Sequence, residues 1–332
     1  MTAVVKWDVD SQGGYMYSDE LSDILRTELQ PLCRFRQFCE PDPGALNKGL
    51  HRGDKYRWNV YGDVATQGRE LDELQPMPET NFTVTQAELT VTEYGNSVPV
   101  TGKVMALAKH DVEAIVTKAL KNDARKAFDI AVWEEFDSTP LRVVPTGGSS
   151  TTSVTLTENG VPGAVNNVAM GTGHVKAIVD LMRERNIPGY AGDDYICISH
   201  PTTYRPFKNE LETIFQYTNE GLNKIYNGEV GRYEGTRFVE QTFIPKGGAA
   251  DSTAFDPYTQ TADAWDNGKS SWAFFFGADT CNEAIVIPEE IRAKLPGDYG
   301  RSAGIAWYFL GGYGLFHTQP SQARIVKWDS AQ

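Results

Sequence analysis

LNKIYNGEVGRYEGTRFVEQTFIP, running from Leu222 to Pro245, decides how this chain is read, because its chemistry makes turns and strands rather than reactions. It contains no Cys, Ser or His. Asn227-Gly228 is a tight-turn signal, Gly231 and Gly235 add permissive backbone points, and Thr236 to Ile244 reads as a β-branched and aromatic strand. Working outward, His200-Pro201 opens a short amphipathic helix with Tyr204, Phe207, Leu211, Ile214 and Phe215 on one side. Before it, Tyr195 to Ser199 reads as a short central strand.

The chain has 332 residues, which predicts about two domains and leaves ample material for a core. With 44 acidic and 31 basic residues the formal net charge is -13, which argues against a surface that grips nucleic acid by neutralising phosphates. A protein that encloses DNA without holding it fits this charge. Cys33, Cys39, Cys197 and Cys281 are too sparse for a disulfide framework and are expected as reduced thiols in a cytoplasmic setting. The opening MTAVVKWDVDSQGG lacks the apolar core of a secretory signal, so export is not expected. The uncharged run Ala303 to Phe316 is shorter than the roughly 20 residues that span a bilayer, and it contains glycines, so a buried strand pair is expected there and no membrane partner.

Residues 1 to 50 read as an arm in which Ser18 caps a helix carrying Leu21, Ile24, Leu25 and Leu29 on one face, ended by Pro31. One short helix cannot bury much surface alone, so the arm must dock on the body or on a neighbour. Lys55 to Val60 alternates as a half-buried strand, and the return strand from Phe82 changes parity at Ala87, Leu89 and Val91, which predicts a bulge near Gln86. Between them lies a long tip, Gly62 to Thr80, with Arg69, Glu70, Asp72, Glu73, Pro76 and Pro78. From Asp111, an N-cap, a long helix runs to Ser138, with a stripe of Val112, Ile115, Val116, Ala119, Leu120, Ala127 and Ala131 and basic positions at Lys118, Lys121, Arg125 and Lys126. A second helix starts at Thr172, with Val175, Ile178, Leu181 and Met182 on one face, and stops near Asn186 and Pro188. Residues 246 to 271 read as an exposed insertion, and strands are expected at Trp272 to Phe276, Ala284 to Ile287, Gly304 to Phe316 and Ala323 to Trp328.

Groups that could carry chemistry are scattered. His51, His110, His174, His200 and His317 form no metal or catalytic cluster, and Cys33-x5-Cys39 lacks metal-ligand spacing, so structural or solvated roles are expected and neither cofactor nor metal. Asp193 and Asp194 are adjacent and cannot converge on one face of a strand, so a solvated turn is expected. Gly171-Thr172-Gly173 reads as a helix N-cap, since no phosphate-loop Lys-Ser/Thr accompanies it. Trp307, Phe309, Tyr313 and their neighbours read as core aromatics, because a basic lining for nucleotide stacking is missing.

In order of elements, and most specifically in IYNGEVGRYEGTRFVE (225 to 240) and YGRSAGIAWYF (299 to 309) followed by ARIVKW (323 to 328), the chain resembles the major capsid (coat) protein of tailed double-stranded-DNA bacteriophages. The resemblance implies the α+β Hong Kong 97-type fold, with an N-terminal arm (1–52), an extended β-hairpin loop (53–106), a peripheral domain with a long spine helix (107–170 and 283–332) and an axial domain (171–282). It implies no enzyme but a virion component, assembled in the host cytoplasm, whose subunits form pentamers and hexamers of an icosahedral shell around double-stranded DNA. A separate scaffolding protein, a portal protein and a decoration protein are the implied partners. On this reading Glu70, Asp72 and Glu73 of the hairpin tip are expected to face Lys118, Lys121, Arg125 or Lys126 of an adjacent subunit. The rivals are the shell protein of a cargo-holding nanocompartment and, from another class, a carbohydrate-active α+β enzyme or binding protein.

Overall fold

The computed structural model describes residues 33–64, 67–71, 73, 76–161, 168–215, 232–243 and 272–330. The arm helix at 18–30, the Asn227-Gly228 turn and the insertion at 246–271 lie outside the described residues.

Two sheets and one long helix make the body. The first sheet has the order β1-β11-β12-β4, in which β1 (Cys39–Asp42) runs parallel to β11 (Cys281–Gly297) and β12 (Ser302–Leu315) lies antiparallel to both β11 and β4 (Thr92–Thr101). The strand expected at Ala284 to Ile287 is thus far longer. Its second half, PEEIRAKLPG, is solvent-exposed and pairs with β12, and Glu290 to Leu295 alternates polar with apolar as a strand does. The second sheet has seven strands: β6 (Val154–Thr157), β5 (Leu141–Pro145), β13 (Ile325–Trp328), β10 (Ala273–Phe276), β7 (Tyr195–Ser199), β9 (Thr236–Glu240) and β8 (Arg232–Tyr233), in that order. It joins strands from stretches that the sequence reading divides between peripheral and axial parts.

Both faces of that sheet are buried, which is why its strands read as continuous apolar runs. Period-two alternation sends Ile196, Ile198, Phe274, Phe276 and Ile325 to one core and Tyr195, Cys197, Ala273, Phe275, Val326 and Trp328 to the other. The second core is closed by Val175, Ile178, Val179 and Met182 of α3 (Thr172–Glu184) and by Tyr204, Phe207 and Leu211 of α4 (Pro201–Phe215). At the sheet's edge Glu234 and Gly235 both take positive φ, 49° and 72°, in the two-residue turn joining β8 to β9. Such a turn matches the twist of paired strands, and Gly235 supplies it without steric cost. The expected strand from Thr236 ends at Glu240 rather than Ile244.

Helix α2 (Val112–Asp137) crosses between the two sheets. Asp111 caps it, accepting from the backbone N–H of Glu113 at 3.0 Å and of Ala114 at 3.3 Å. Its first half buries a single stripe, Val112, Val116 and Leu120, whereas Phe128 to Trp133 are all buried because both sheets enclose that segment. Ala119, expected in the stripe, is exposed. Phe128 meets Trp307 and Phe309 of the first sheet edge-on at 5.3 and 4.9 Å, and Phe136 meets Phe276 of the second at 5.2 Å.

The hairpin of β2 (Lys55–Tyr61) and β3 (Val84–Thr90) projects from the first sheet in unbroken register from Lys55 opposite Thr90 to Tyr61 opposite Val84. Gln86 pairs directly with Asn59, so the expected bulge is absent. The apparent change of parity arises because Phe82 and Val84 are solvent-exposed, while Tyr56, Ala87 and Leu89 occupy the buried face. At the base, Trp58 donates to the Phe316 carbonyl at 3.2 Å. A Cβ on Gly312 would come within 2.5 Å of the Thr90 carbonyl, and one on Gly314 within 2.8 Å of Leu89, so these glycines let the hairpin lie directly against β12.

Asp129, inside α2 and 1 % exposed, ties three parts together. Its carboxylate accepts from the backbone N–H of Phe35 at 2.6 Å and of Arg36 at 3.4 Å, and from the Gln241 side-chain amide just beyond β9. Burial outweighs these donated bonds and pushes its pKa up to about 6. Between about pH 4 and pH 6 the folded protein therefore holds a proton that the unfolded chain has released, so this group's stabilisation is present at the acid end and is lost as pH rises through 6. Asp129→Asn should remove that pH slope, worth roughly 2–3 kcal/mol, in urea midpoints measured from pH 4 to 7. Asp129→Ala, which orphans three donors, should cost about 2–4 kcal/mol at neutral pH.

Candidate inter-subunit surfaces

The hairpin tip and the flank of α2 carry the charged residues singled out from sequence. Glu70 and Glu73 are exposed, and among the described residues neither forms an ion pair; Asp72 lies outside the described residues. On α2, Lys118, Lys121 and Arg125 share an exposed flank through their i, i+3, i+7 spacing. Lys126 points elsewhere, half-buried, with its Nζ 5.8 Å from the Phe243 ring. The basic group therefore splits into a patch of three and a separate lysine. Among the described residues no ion pair joins tip to helix within the chain.

Two exposed apolar features went unnoticed in sequence. The hairpin bears Tyr61, Leu71, Met77, Phe82 and Val84, from 49 to 69 % exposed. The β11–β12 hairpin ends in a turn, Asp298–Gly300, where Tyr299 stands fully in solvent at φ 53°, with Leu295 and Ile291 also exposed. The GDYG sequence was the available signal for that turn. Side chains scattered singly over a surface need no partner, but clusters on two projecting hairpins do.

Groups that sequence left open to chemistry are committed to structure. The buried Nδ1 of His174 accepts from the Gly171 backbone N–H at 3.0 Å, and its Nε2 lies 2.7 Å from the Gly148 carbonyl, which makes Nε2 the protonated nitrogen. Burial lowers its pKa and keeps it neutral. The N-terminus of α3 is filled by Glu210, which accepts from the backbone N–H of Thr172 at 2.6 Å and from its hydroxyl at 2.9 Å. Asp194 is not in a solvated turn, as expected from sequence, but buried, paired with Arg232 at 2.5 Å and Arg237 at 2.9 Å, while Asp193 is exposed. This pairing fastens the β8–β9 hairpin to the start of β7. The four cysteines are free thiols, with Cys39, Cys197 and Cys281 buried.

Lys327 is a further buried charge with no signal in its strand. Its Nζ pairs with Asp137 at the end of α2, lies 3.9 Å from an Asp329 oxygen and sits 3.9 Å from the Trp272 ring. Burial pulls its pKa down, against the attraction of both carboxylates. Arg142 completes the cluster, donating to Asp329 at 2.8 Å. Among the described residues no helix is long and apolar enough to cross a membrane.

The body is two sheets with a helix between, carrying projecting hairpins, and among the described residues no group of His, Cys, Asp and Glu could hold a metal ion. The family model described as phage capsid protein matches residues 85–323, and the chain belongs to that family. It is a structural major capsid protein and a virion component. No curated protein matches it in sequence. The fold is shared with the capsid of the cyanophage P-SCSP1u, at 13 % identity and a TM-score of 0.65 over 95 % of this chain and 93 % of that one. It is also shared with the capsid of cyanophage Pam1, at 13 % identity and 0.64 over 99 % of both chains, and with the head of Helicobacter pylori bacteriophage KHP40, at 11 % and 0.65 over 99 % of both. The body is thus the Hong Kong 97-type fold that the sequence resemblance implied.

Removing the Lys327 ammonium takes a partner from half-buried Asp137 and leaves buried Asp329 to Arg142 and Trp272, so Lys327→Ala should destabilise the subunit by about 2–4 kcal/mol. Glu70→Lys with Glu73→Lys, at exposed positions, should change subunit stability by no more than about 0.5 kcal/mol. Chemical denaturation of the two variants under dissociating conditions checks the contrast.

Proposed function

We propose that copies of this chain ring into pentamers and hexamers and close as an icosahedral shell that encloses double-stranded DNA. The observation that carries the reading is the β2–β3 hairpin, which projects beyond the body with its apolar and acidic side chains exposed, within a chain of the phage capsid family. The strands of the hairpin rest on β12, but the tip beyond Tyr61 and Val84 leaves the core, and a neighbouring copy supplies its cover. In this assignment the arm is 1–52, the extended loop 53–106, the peripheral domain 107–170 and 283–332, and the axial domain 171–282, the last two sharing the seven-stranded sheet. The net charge of -13 fits a lining that confines DNA without binding it in sequence-specific fashion. Assembly takes place in the host cytoplasm with a separate scaffolding protein, and a portal protein and a decoration protein complete the head.

The tip acids Glu70, Asp72 and Glu73 face Lys118, Lys121 and Arg125 of the adjacent subunit, with Lys126 flanking. Each exposed pair contributes about 0.2–1 kcal/mol, repeated at every contact of a closed shell. Electron microscopy of the purified protein should show closed particles, and monomers alone would refute the shell. Lys at all three tip positions should sharply lower shell yield, and wild-type yield would dismiss the tip contact. Because every copy adds the same net charge, assembly followed by light scattering should accelerate with moderate salt.

A further inference from the structure

At the N-terminal end of α2 a groove of about 470 Å³ opens between the helix and the first sheet. Its apolar lining comes from Val112 and Val116 of α2, Val100 of β4, Met105 of α1 (Gly102–Leu107), and Ile291 and Ile305 of β11 and β12. Ile291 and Met105 are 49 and 37 % exposed at the rim, so nothing in the described structure covers them. The charged groups lining it are Glu113 and Lys294. Glu113 and Thr117 begin a row that continues at i+4 spacing through Lys121 and Arg125. That row leads to the place where the described chain starts, with the Phe35 N–H on Asp129 and Cys33 in the field of Arg125 and Lys126.

We propose that this groove seats the start of residues 18–30 of the same chain, SDELSDILRTELQ, which run parallel to α2 from the groove at Val112 to the link beside Arg125. Chain length fits. Arg125 and Val112 are separated by about 20 Å along the helix axis at 1.5 Å per residue, and residues 18–30 as a helix span about the same, with Pro31 and Leu32 as the link. Shape fits as well, since Leu21, Ile24, Leu25 and Leu29 recur on one helical face and match an apolar groove. Charge supplies the third argument: Asp19, Glu20, Asp23 and Glu28 outnumber the single Arg26, opposite a rim where Lys121, Arg125 and Lys294 outnumber Glu113. The same chain is the occupant because the segment leaves from the helix that forms the groove. The seat is a property of one subunit and does not rest on the shell reading.

Site-directed crosslinking in the full-length chain tests this. Leu21→Cys is combined with Ile291→Cys, in a Cys33→Ser background, and oxidised with copper phenanthroline under dissociating, non-denaturing conditions. Ile291 and the control position Tyr299 are both exposed, so neither substitution disturbs the core. The expected result is a disulfide at single-chain mass, in a yield at least about tenfold above that of Leu21→Cys with Tyr299→Cys, because a seated segment raises the local thiol concentration. Lys121→Glu with Arg125→Glu should cut the yield several-fold, and adding Asp23→Lys with Glu28→Lys should restore it. A yield no greater than the control overturns the proposal. So does a product at two-chain mass, which would assign the groove to another copy's arm. Preferential coupling of Met77→Cys to Ile291→Cys would assign it to the hairpin tip instead and equally overturn it.

Discussion

The constraint on which the rest of the structure depends is the burial of the C-terminal half of α2 between two sheets. A helix normally offers one stripe to a core, and the first half of α2 does so. From Phe128 to Trp133 every side chain is buried, and one of them is an aspartate. A buried carboxylate is tolerable only with donors on its oxygens. Asp129 obtains them from the arm at Phe35 and Arg36 and from Gln241 beyond β9, so the cost of burying it becomes a device that registers three distant parts of the chain. Lys327 plays a similar role between the end of α2 and the last strand.

With that body held rigidly, its projections are free to serve other copies. The β2–β3 hairpin rests on β12 through Gly312 and Gly314 and then leaves the core, and the β11–β12 hairpin extends beyond the sheet in the same manner. Both end in exposed apolar residues that a monomer would do better to cover. The charged groups at these surfaces are exposed, where a single ion pair contributes little.

Much of this frame was legible in the residues. The cap at Asp111, the length of α2, the start of α3 at Thr172 and the buried strand Tyr195–Ser199 are local matters of capping, periodicity and β-branched runs, and they stand where the sequence put them. The bulge near Gln86 was misread because exposed Phe82 and Val84 imitate a buried face. The outer half of β11 was missed although Glu290 to Leu295 alternates as a strand does, because Pro288 and Pro296 flank it and read as strand breakers. Asp194 was misjudged for a related reason: its partners Arg232 and Arg237 are far along the chain and enter only when β9 pairs with β7.

The opening stretch shows where the division falls. By itself the sequence determined that 232–240 would turn and extend, since Gly235 permits a backbone that other residues resist and Thr236, Phe238 and Val239 favour a strand. It also determined that the chain would be acidic, long enough for a large core and built around one long helix. Only the tertiary structure decided that β9 would lie beside β7, that one sheet would draw strands from residues 141 to 328, and that a lone aspartate would hold the arm. Those choices rest on pairings and desolvation between residues far apart in sequence, 41 positions for Tyr195 with Thr236 and 94 for Phe35 with Asp129. Local pattern carries no record of them, because the same aspartate is an ordinary surface residue until two sheets close over it.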